Sequence, residues 1–175
     1  MSVLCQHSDQ AGAKVVVGVA DMKVSDRRGD VLVTHALGSC LGVAVYDPTA
    51  QVGGLLHVMM PSSEANPEKA AANPYMFVDT GVPAFFRALY AAGGMKGRLQ
   101  VRVAGGAASH SGSAGGGEDY FAIGKRNFVM LRKIFWKNGI LIRGEDVGGS
   151  QPRTMYLEIG TGRVWLHSGG IEKEL

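Results

Sequence analysis

Two residues of the chain have the chemistry and the spacing of a thiol nucleophile and its base. Cys40 follows Gly38 and Ser39 at the predicted end of a strand, where a glycine-flanked turn can expose a side chain on a rigid support. A thiol attacks as its thiolate, and an adjacent imidazole favours that form. His57 lies seventeen positions after Cys40. This pair predicts cysteine-dependent nucleophilic catalysis.

The segment between the two residues makes their approach geometrically simple. Apolar runs at 41–47 and 52–60 are separated by a polar loop containing Pro48, which is typical of two strands joined by a turn. A hairpin of this kind brings the imidazole beside the sulfur. The backbone N–H groups around Gly38 and Ser39 are candidates to bind a developing oxyanion. A structural interpretation stays open, since free cysteine and strand histidine are often only core residues.

Other residues able to do chemistry give weaker patterns. Cys5 lies in a polar leader, and the segment 105–117 is rich in glycine but lacks the GK[ST] ending of a phosphate-binding loop. No GxSxG sequence is present. Neither HxxxH nor CxxC spacing occurs among the remaining histidines, which are His7, His35, His110 and His167. We therefore expect no metal and no cofactor, and a functional or mobile loop at 105–120.

The composition indicates one ordinary globular domain. With 46% hydrophobic and 19% charged residues, the chain can bury a core without disulfides, and two cysteines are too few for a disulfide scaffold. The net charge of +3 comes from scattered basic residues, so nucleic-acid binding is not expected. No signal peptide or membrane span is predicted. We expect a flexible leader at 1–13, one domain at 14–175, and a cytoplasmic location.

The elements that must position Cys40 and His57 follow from hydrophobic periodicity. Three- and four-residue spacing predicts one helix from about residue 75 to 90 and another over Lys125–Asn138. Alternating or β-branched runs predict strands at 14–25, 30–40, 41–47, 52–60, 98–106, 140–146, 154–160 and 163–169. Short connections between the strands favour a layered α/β or α+β sandwich of mostly antiparallel or mixed sheets with two main helices.

Several sequence blocks occur in an order that points to one known family. They are Thr34, Leu37-Gly38-Ser39-Cys40, Tyr46-Asp47-Pro48, Gly53-Gly54-Leu55-Leu56-His57 with Pro61, Tyr75-Met76-Phe77-Val78-Asp79, Gly105-Gly106-Ala107, Ile123-Gly124-Lys125-Arg126-Asn127 and Glu145-Asp146-Val147-Gly148-Gly149. With these blocks the chain resembles the CheD family of chemoreceptor glutamine deamidases, from about Val17 to Trp165. Two segments, 107–110 and 150–153, depart from the family pattern.

The resemblance implies a function and a site. It implies hydrolysis of glutamine side-chain amides to glutamate on methyl-accepting chemotaxis receptors, with Cys40 as nucleophile, His57 as base and Thr34 orienting the imidazole ring. It implies a fold similar to the catalytic domain of cytotoxic necrotizing factor toxins. The implied partners are the helical cytoplasmic domains of receptors and the phosphatase CheC, and the implied place is the receptor array. The alternatives are a non-catalytic adaptor and a thiol-dependent receptor methylesterase.

Overall fold

Two five-stranded sheets pack against each other in the computed structural model, which describes residues 12–108 and 118–175. The strands are β1 (Lys14–Val16), β2 (Asp21–Ser25), β3 (Val31–Leu37), β4 (Leu41–Asp47), β5 (Val52–Val58), β6 (Gln100–Gly105), β7 (Ile142–Val147), β8 (Arg153–Glu158), β9 (Val164–Ser168) and β10 (Ile171–Glu174). The first sheet has the order β1-β3-β8-β9-β10, and the second sheet has the order β2-β5-β4-β6-β7.

The second sheet forms the middle layer, and its sequence shows why. Every residue of β4 and β5 is buried, so both strands are almost continuously apolar and not alternating. In the first sheet, β8 alternates between buried and half-buried residues, as expected when only one face meets the core. One core cluster fills the space between the sheets, and another lies on the opposite face of the second sheet.

The helices are α1 (Pro67–Ala72), α2 (Val78–Ala91) and α3 (Glu118–Lys137). Of these, α2 and α3 pack on that opposite face. In α2 the residues at three- and four-residue spacing, among them Val82 and Phe85, are buried against the sheet. Phe86 of α2 meets Phe135 of α3 edge to face, with 5.8 Å between ring centroids. The layers are therefore helices, second sheet and first sheet.

The predicted turn between β4 and β5 is held by a buried carboxylate. Asp47, the last residue of β4, accepts hydrogen bonds from the amides of Thr49 and Ala50, and its side chain forms an ion pair with Arg98 at 2.8 Å. An aspartate that binds the backbone two and three residues later is a common turn former. The turn sets the antiparallel register of β4 on β5.

The layered sandwich with two main helices is confirmed, but several boundaries differ from the prediction. The run 14–25 forms two strands in different sheets, because the chain turns after Gly18, with Ala20 at a φ of +53°. Helix α3 begins at Glu118, seven residues before the predicted start, and therefore includes part of the segment assigned to a loop. The short α1 and strand β10 were not predicted.

Two predictions concern residues that the structure describes only in part. The leader at 1–13 and the glycine-rich segment at 105–117 fall largely outside the described residues, and the expectations for both stay predictions. In the described ranges, no helix is long and apolar enough to cross a membrane.

Packing of α2 on the second sheet should supply a large share of the stability. Phe85 is fully buried, and a Cβ on the facing Gly54 would lie only 2.6 Å from its ring. We predict that Phe85→Ala lowers the free energy of unfolding by about 3–5 kcal/mol, measured by urea denaturation. Val129→Ala on the exposed side of α3 should change it by less than about 0.5 kcal/mol. Similar losses in both variants would contradict this packing.

Candidate active site

Thr34 and His57 come from different sheets and meet in the layer between them. Thr34 lies on β3 of the first sheet and His57 on β5 of the second, and both side chains are 0% exposed. The Thr34 hydroxyl oxygen lies 2.7 Å from Nδ1 of His57. The same hydroxyl donates to the main-chain carbonyl of Val17, at 2.8 Å. The predicted contact between these two residues is therefore present.

These two hydrogen bonds define the protonation of the imidazole. A hydroxyl has one proton to donate, and Thr34 uses it on the carbonyl of Val17. The hydroxyl must then accept from Nδ1 of His57, so Nδ1 carries the ring proton. The neutral ring consequently has an unprotonated Nε2. This is the nitrogen that a general base needs, and the arrangement resembles the way a third residue orients the histidine of a hydrolase triad.

The surroundings of His57 keep the ring neutral. Burial lowers the pKa of His57 to about 4, because the protonated imidazolium loses its hydration. Nε2 is itself buried and has no hydrogen-bond partner in the part of the chain that the structure describes. A buried nitrogen without a partner is uncommon in folded proteins, and at functional sites it marks an acceptor held for another group.

Cys40 lies on the turn that carries the chain from the first sheet to the second. Strand β3 ends at Leu37, so Cys40 is not on the strand of Thr34, as the sequence had suggested, but directly before β4. Gly42 of β4 is paired with His57. Cys40, two residues before Gly42, packs against the core cluster between the two sheets. The turn that carries Cys40 and the end of β5 that carries His57 therefore lie at the same end of the hairpin.

The thiol and the imidazole are both neutral in the resting site. Burial raises the pKa of the Cys40 thiol, although the amide of Cys40 itself partly opposes this change. The sequence had suggested the opposite direction, with a thiol pKa depressed by the ring. Because Nε2 of His57 has no partner among the described residues, the thiol does not hydrogen-bond to it in this structure. The site is therefore a neutral pair and not a thiolate–imidazolium ion pair.

Backbone contacts hold the turn at 38–40 against the segment that follows β6. The carbonyl of Cys40 accepts from the amide of Gly106, and the carbonyl of Gly38 accepts from the amide of Ala107, both at 2.8 Å. Gly105 has a φ of +111°, and a Cβ there would lie 2.2 Å from the carbonyl oxygen of Cys40. Only glycine tolerates both conditions. This close approach explains the Gly105-Gly106-Ala107 block.

The amides of the turn are not equivalent. The N–H of Gly38 donates to the carbonyl of Ala36 at 2.9 Å, which closes a three-residue turn centred on Leu37, directly after the positive φ of Ala36, +56°. The amide of Gly38 therefore helps to form the turn and is not a donor for a ligand. A side chain at this position would meet open space. The N–H groups of Ser39 and Cys40 donate to no other residue in the hydrogen bonds described. These two amides are the candidates for binding an oxyanion.

One buried polar residue near the site was missed by the sequence analysis. Asn127 of α3 is 0% exposed and donates from Nδ2 to the carbonyls of Ser39 and Met59, at 3.0 and 2.9 Å. The residue belongs to one of the family-like blocks. Asn127 lies four residues before Leu131 and eight before Phe135, on the buried face of the helix. Helical periodicity therefore predicts that it faces the core but not which carbonyls it binds, so no role was assigned to it.

The remaining candidates lie away from this site or outside the described residues. His35 and His167 are exposed on the outer face of the first sheet. Cys5, His7 and His110 fall outside the described residues. Within the ranges 12–108 and 118–175, no group of three or more His, Cys, Asp or Glu side chains is placed to hold a metal ion.

Comparison with known proteins assigns the chain to a family. The family model described as CheD chemotactic sensory transduction matches residues 59–168. The chain belongs to the CheD family. The matched range begins directly after the strand that carries His57, so Thr34, Cys40 and His57 all precede it.

Individual CheD relatives match over most of the chain. A protein of Solibacter usitatus named probable chemoreceptor glutamine deamidase CheD is 48% identical over 162 residues, which is 93% of each chain. A relative from Syntrophus aciditrophicus with a corresponding name is 49% identical, over 89% of this chain and 94% of its own. One from Thermococcus kodakarensis is 34% identical, over 86% of this chain and 90% of its own.

The neutral pair predicts how Cys40 of this CheD chain reacts with an alkylating agent. Alkylation requires thiolate, and a raised thiol pKa leaves little of it at neutral pH. We predict that the alkylation rate of Cys40 by iodoacetamide is still rising with pH at pH 9.0, the ordinary pKa of the thiol, measured by mass spectrometry in a Cys5→Ala background. A rate that is already constant above about pH 6 would show an ion pair instead.

The burial of His57 predicts an acid-sensitive fold. Between its ordinary pKa of 6.5 and about 4, the unfolded chain binds a proton at this position and the folded chain does not. The free energy of unfolding should therefore fall by about 3 kcal/mol as the pH falls through that window, and this contribution should level off below it. Urea titrations should show a smaller fall for His57→Gln. An unchanged fall in His57→Gln, or an equally reduced one in His35→Gln, would contradict this assignment.

Proposed function

We propose that this chain hydrolyses glutamine side-chain amides of chemoreceptors to glutamates, with Cys40 as nucleophile, His57 as acid and base, and Thr34 as the group that orients the ring. The proposal is supported by the relatives, which are named chemoreceptor glutamine deamidases. The observation that carries the residue roles is the buried contact of Thr34 with Nδ1 of His57, which leaves Nε2 unprotonated and without a partner among the described residues.

The first half of the reaction breaks the carbon–nitrogen bond of the amide. Sγ of Cys40 attacks the carboxamide carbon while its proton passes to Nε2 of His57, and the carbonyl oxygen becomes an oxyanion. The amides of Cys40 and Ser39 are the donors available to that oxyanion. The imidazolium then gives the proton to the nitrogen, ammonia leaves, and a thioester remains on Cys40.

The second half restores the enzyme. Water attacks the thioester carbon and gives a proton to Nε2 of His57, so that a second oxyanion forms at the same place. The intermediate collapses, the carbon–sulfur bond breaks, and the protonated ring returns its proton to the sulfur. The products are a glutamate side chain and the neutral thiol–imidazole pair. No group besides those of this chain and water is required.

The neutral resting state requires that proton transfer accompanies the attack. The thiol pKa is raised and the imidazole pKa is low, so a separated ion pair is unfavourable before substrate enters. Rotation of the Cys40 side chain brings the sulfur to Nε2, and such contacts commonly tighten only in the substrate complex. Thr34 contributes orientation without a compensating charge, so its removal should cost less than removal of either partner.

The setting of the reaction follows from the resemblance to the family. We place residues 14–175 in one domain that acts on the helical cytoplasmic parts of receptors, in the cytoplasm and at receptor arrays. Ala107, the first residue of the segment 107–110 that departs from the family pattern, lies beside the turn of Cys40, because its amide donates to the carbonyl of Gly38. We infer that this departure bears on the choice of partners such as CheC and not on the chemistry of Cys40.

Substitutions at the three residues test the assignment. Incubation with a receptor cytoplasmic domain should produce ammonia and a mass gain of about 1 Da at each modified glutamine. We predict that Cys40→Ala abolishes both signals because no thioester can form. Thr34→Val should lower kcat roughly tenfold to a hundredfold, since the ring loses its fixed orientation, and Thr34→Ser should recover most of the rate.

The controls separate this function from its alternatives. Cys5→Ala should leave the rate unchanged, and an equal loss in Cys5→Ala and Cys40→Ala would contradict the choice of nucleophile. Methanol released from methylated receptors without ammonia would identify a methylesterase. Tight receptor binding with neither product would identify an adaptor.

A further inference from the structure

Asn127 connects the nucleophile turn to the strand of the base. Its Nδ2 donates to the carbonyl of Ser39, directly before Cys40, and to the carbonyl of Met59, two residues after His57. Both contacts are to carbonyl oxygens, so the amide nitrogen must face them, because the flipped amide would place two acceptors together. Among the described residues, Oδ1 of Asn127 is buried without a partner. The side chain is therefore held in place by its two donated bonds.

The bond to Ser39 fixes the direction of the next amide. No peptide bond in the described chain is cis, and in a trans peptide the C=O and the N–H point in opposite directions. The carbonyl of Ser39 points at Asn127, so the N–H of Cys40 points away from α3. That N–H belongs to the same residue as the attacking sulfur, and among the hydrogen bonds described it donates to no other residue. Its direction is thus set on the side where the substrate carbonyl meets the sulfur.

We propose that Asn127 is a positioning residue that holds the Ser39–Cys40 peptide plane, so that the Cys40 amide is aimed at the oxyanion formed in the reaction. This inference rests on the proposed function and adds a residue to it. Through Met59, the same side chain also fixes the end of β5 relative to the turn. Asn127 touches neither substrate nor sulfur, and acts only through the main chain.

Two reagents distinguish oxyanion stabilisation from general damage to the turn. Acylation of Cys40 by p-nitrophenyl acetate passes through a tetrahedral oxyanion and releases p-nitrophenolate. Alkylation by iodoacetamide displaces iodide at a saturated carbon and forms no oxyanion. In a Cys5→Ala background, Asn127→Leu should lower the acylation rate constant about tenfold to a hundredfold and leave alkylation within about threefold. The kcat for receptor deamidation should fall with acylation, while KM stays within about twofold.

Asn127→Asp tests the donors in a side chain of the same shape, and remains informative where Asn127→Leu does not fold. An ionised carboxylate offers no donor to the two carbonyls, whereas the protonated acid offers one. The ratio of acylation to alkylation should therefore recover partly as the pH is lowered. Asn138 is the matched control, since it lies exposed just after the same helix and donates only to the carbonyl of Ile134. Asn138→Leu should leave the ratio unchanged.

The outcomes of this experiment are separable from those of the deamidation assay. An unchanged ratio in both Asn127 variants, or equal losses of acylation and alkylation, would overturn the positioning role. A lowered ratio in a chain that releases no ammonia from receptors would support Asn127 and refute the proposed function. Receptor deamidation that persists at full rate in Asn127→Leu would support the function and refute the role of Asn127.

Discussion

The hydrogen bond between Thr34 and His57 is the contact on which the arrangement of this molecule depends. It joins the two sheets across their buried interface, and it decides which ring nitrogen is protonated. The contact between the sheets and the protonation of Nδ1 both need the same orientation of the imidazole ring. A ring that turned away would lose its bond to Thr34, and Nε2 would no longer be fixed as the unprotonated nitrogen. One polar contact inside an otherwise apolar layer therefore serves both the packing of the two sheets and the protonation state of His57. The surrounding core favours this contact, since an alternative packing of the sheets would leave the buried Nδ1 of His57 without its partner.

The carbonyl groups of the turn at 38–40 are held by one part of the protein. The three successive carbonyls of Gly38, Ser39 and Cys40 accept from Ala107, Asn127 and Gly106. All of these donors belong to the segment after β6 or to α3. The acceptor groups of the turn are therefore occupied by the protein, while the amides of Ser39 and Cys40 donate to no other residue in the hydrogen bonds described. A rigid turn with such amides is the arrangement that the proposed stabilisation of a developing negative charge requires.

The sequence was sufficient for local features and insufficient for contacts between distant segments. The hairpin that brings His57 to the end that carries Cys40 follows from two apolar runs and a turn, and it was predicted. The division of 14–25 into two strands was not, because β-branched residues continue through the turn. Asn127 and the carbonyl of Val17 were also not predicted. A main-chain acceptor has no residue type, and a buried asparagine is recognised only when its partners are known.

The polar relay of Nδ1 and hydroxyl ends at the main-chain carbonyl of Val17, just after the three-residue edge strand β1. No replacement of the side chain at that position can delete this acceptor, so mutation alone leaves the last member of the relay chemically unaltered. Only detachment of the strand would remove it. The protonation of His57 at Nδ1 is consequently independent of which amino acid stands at position 17, but it depends on the docking of the three-residue strand β1.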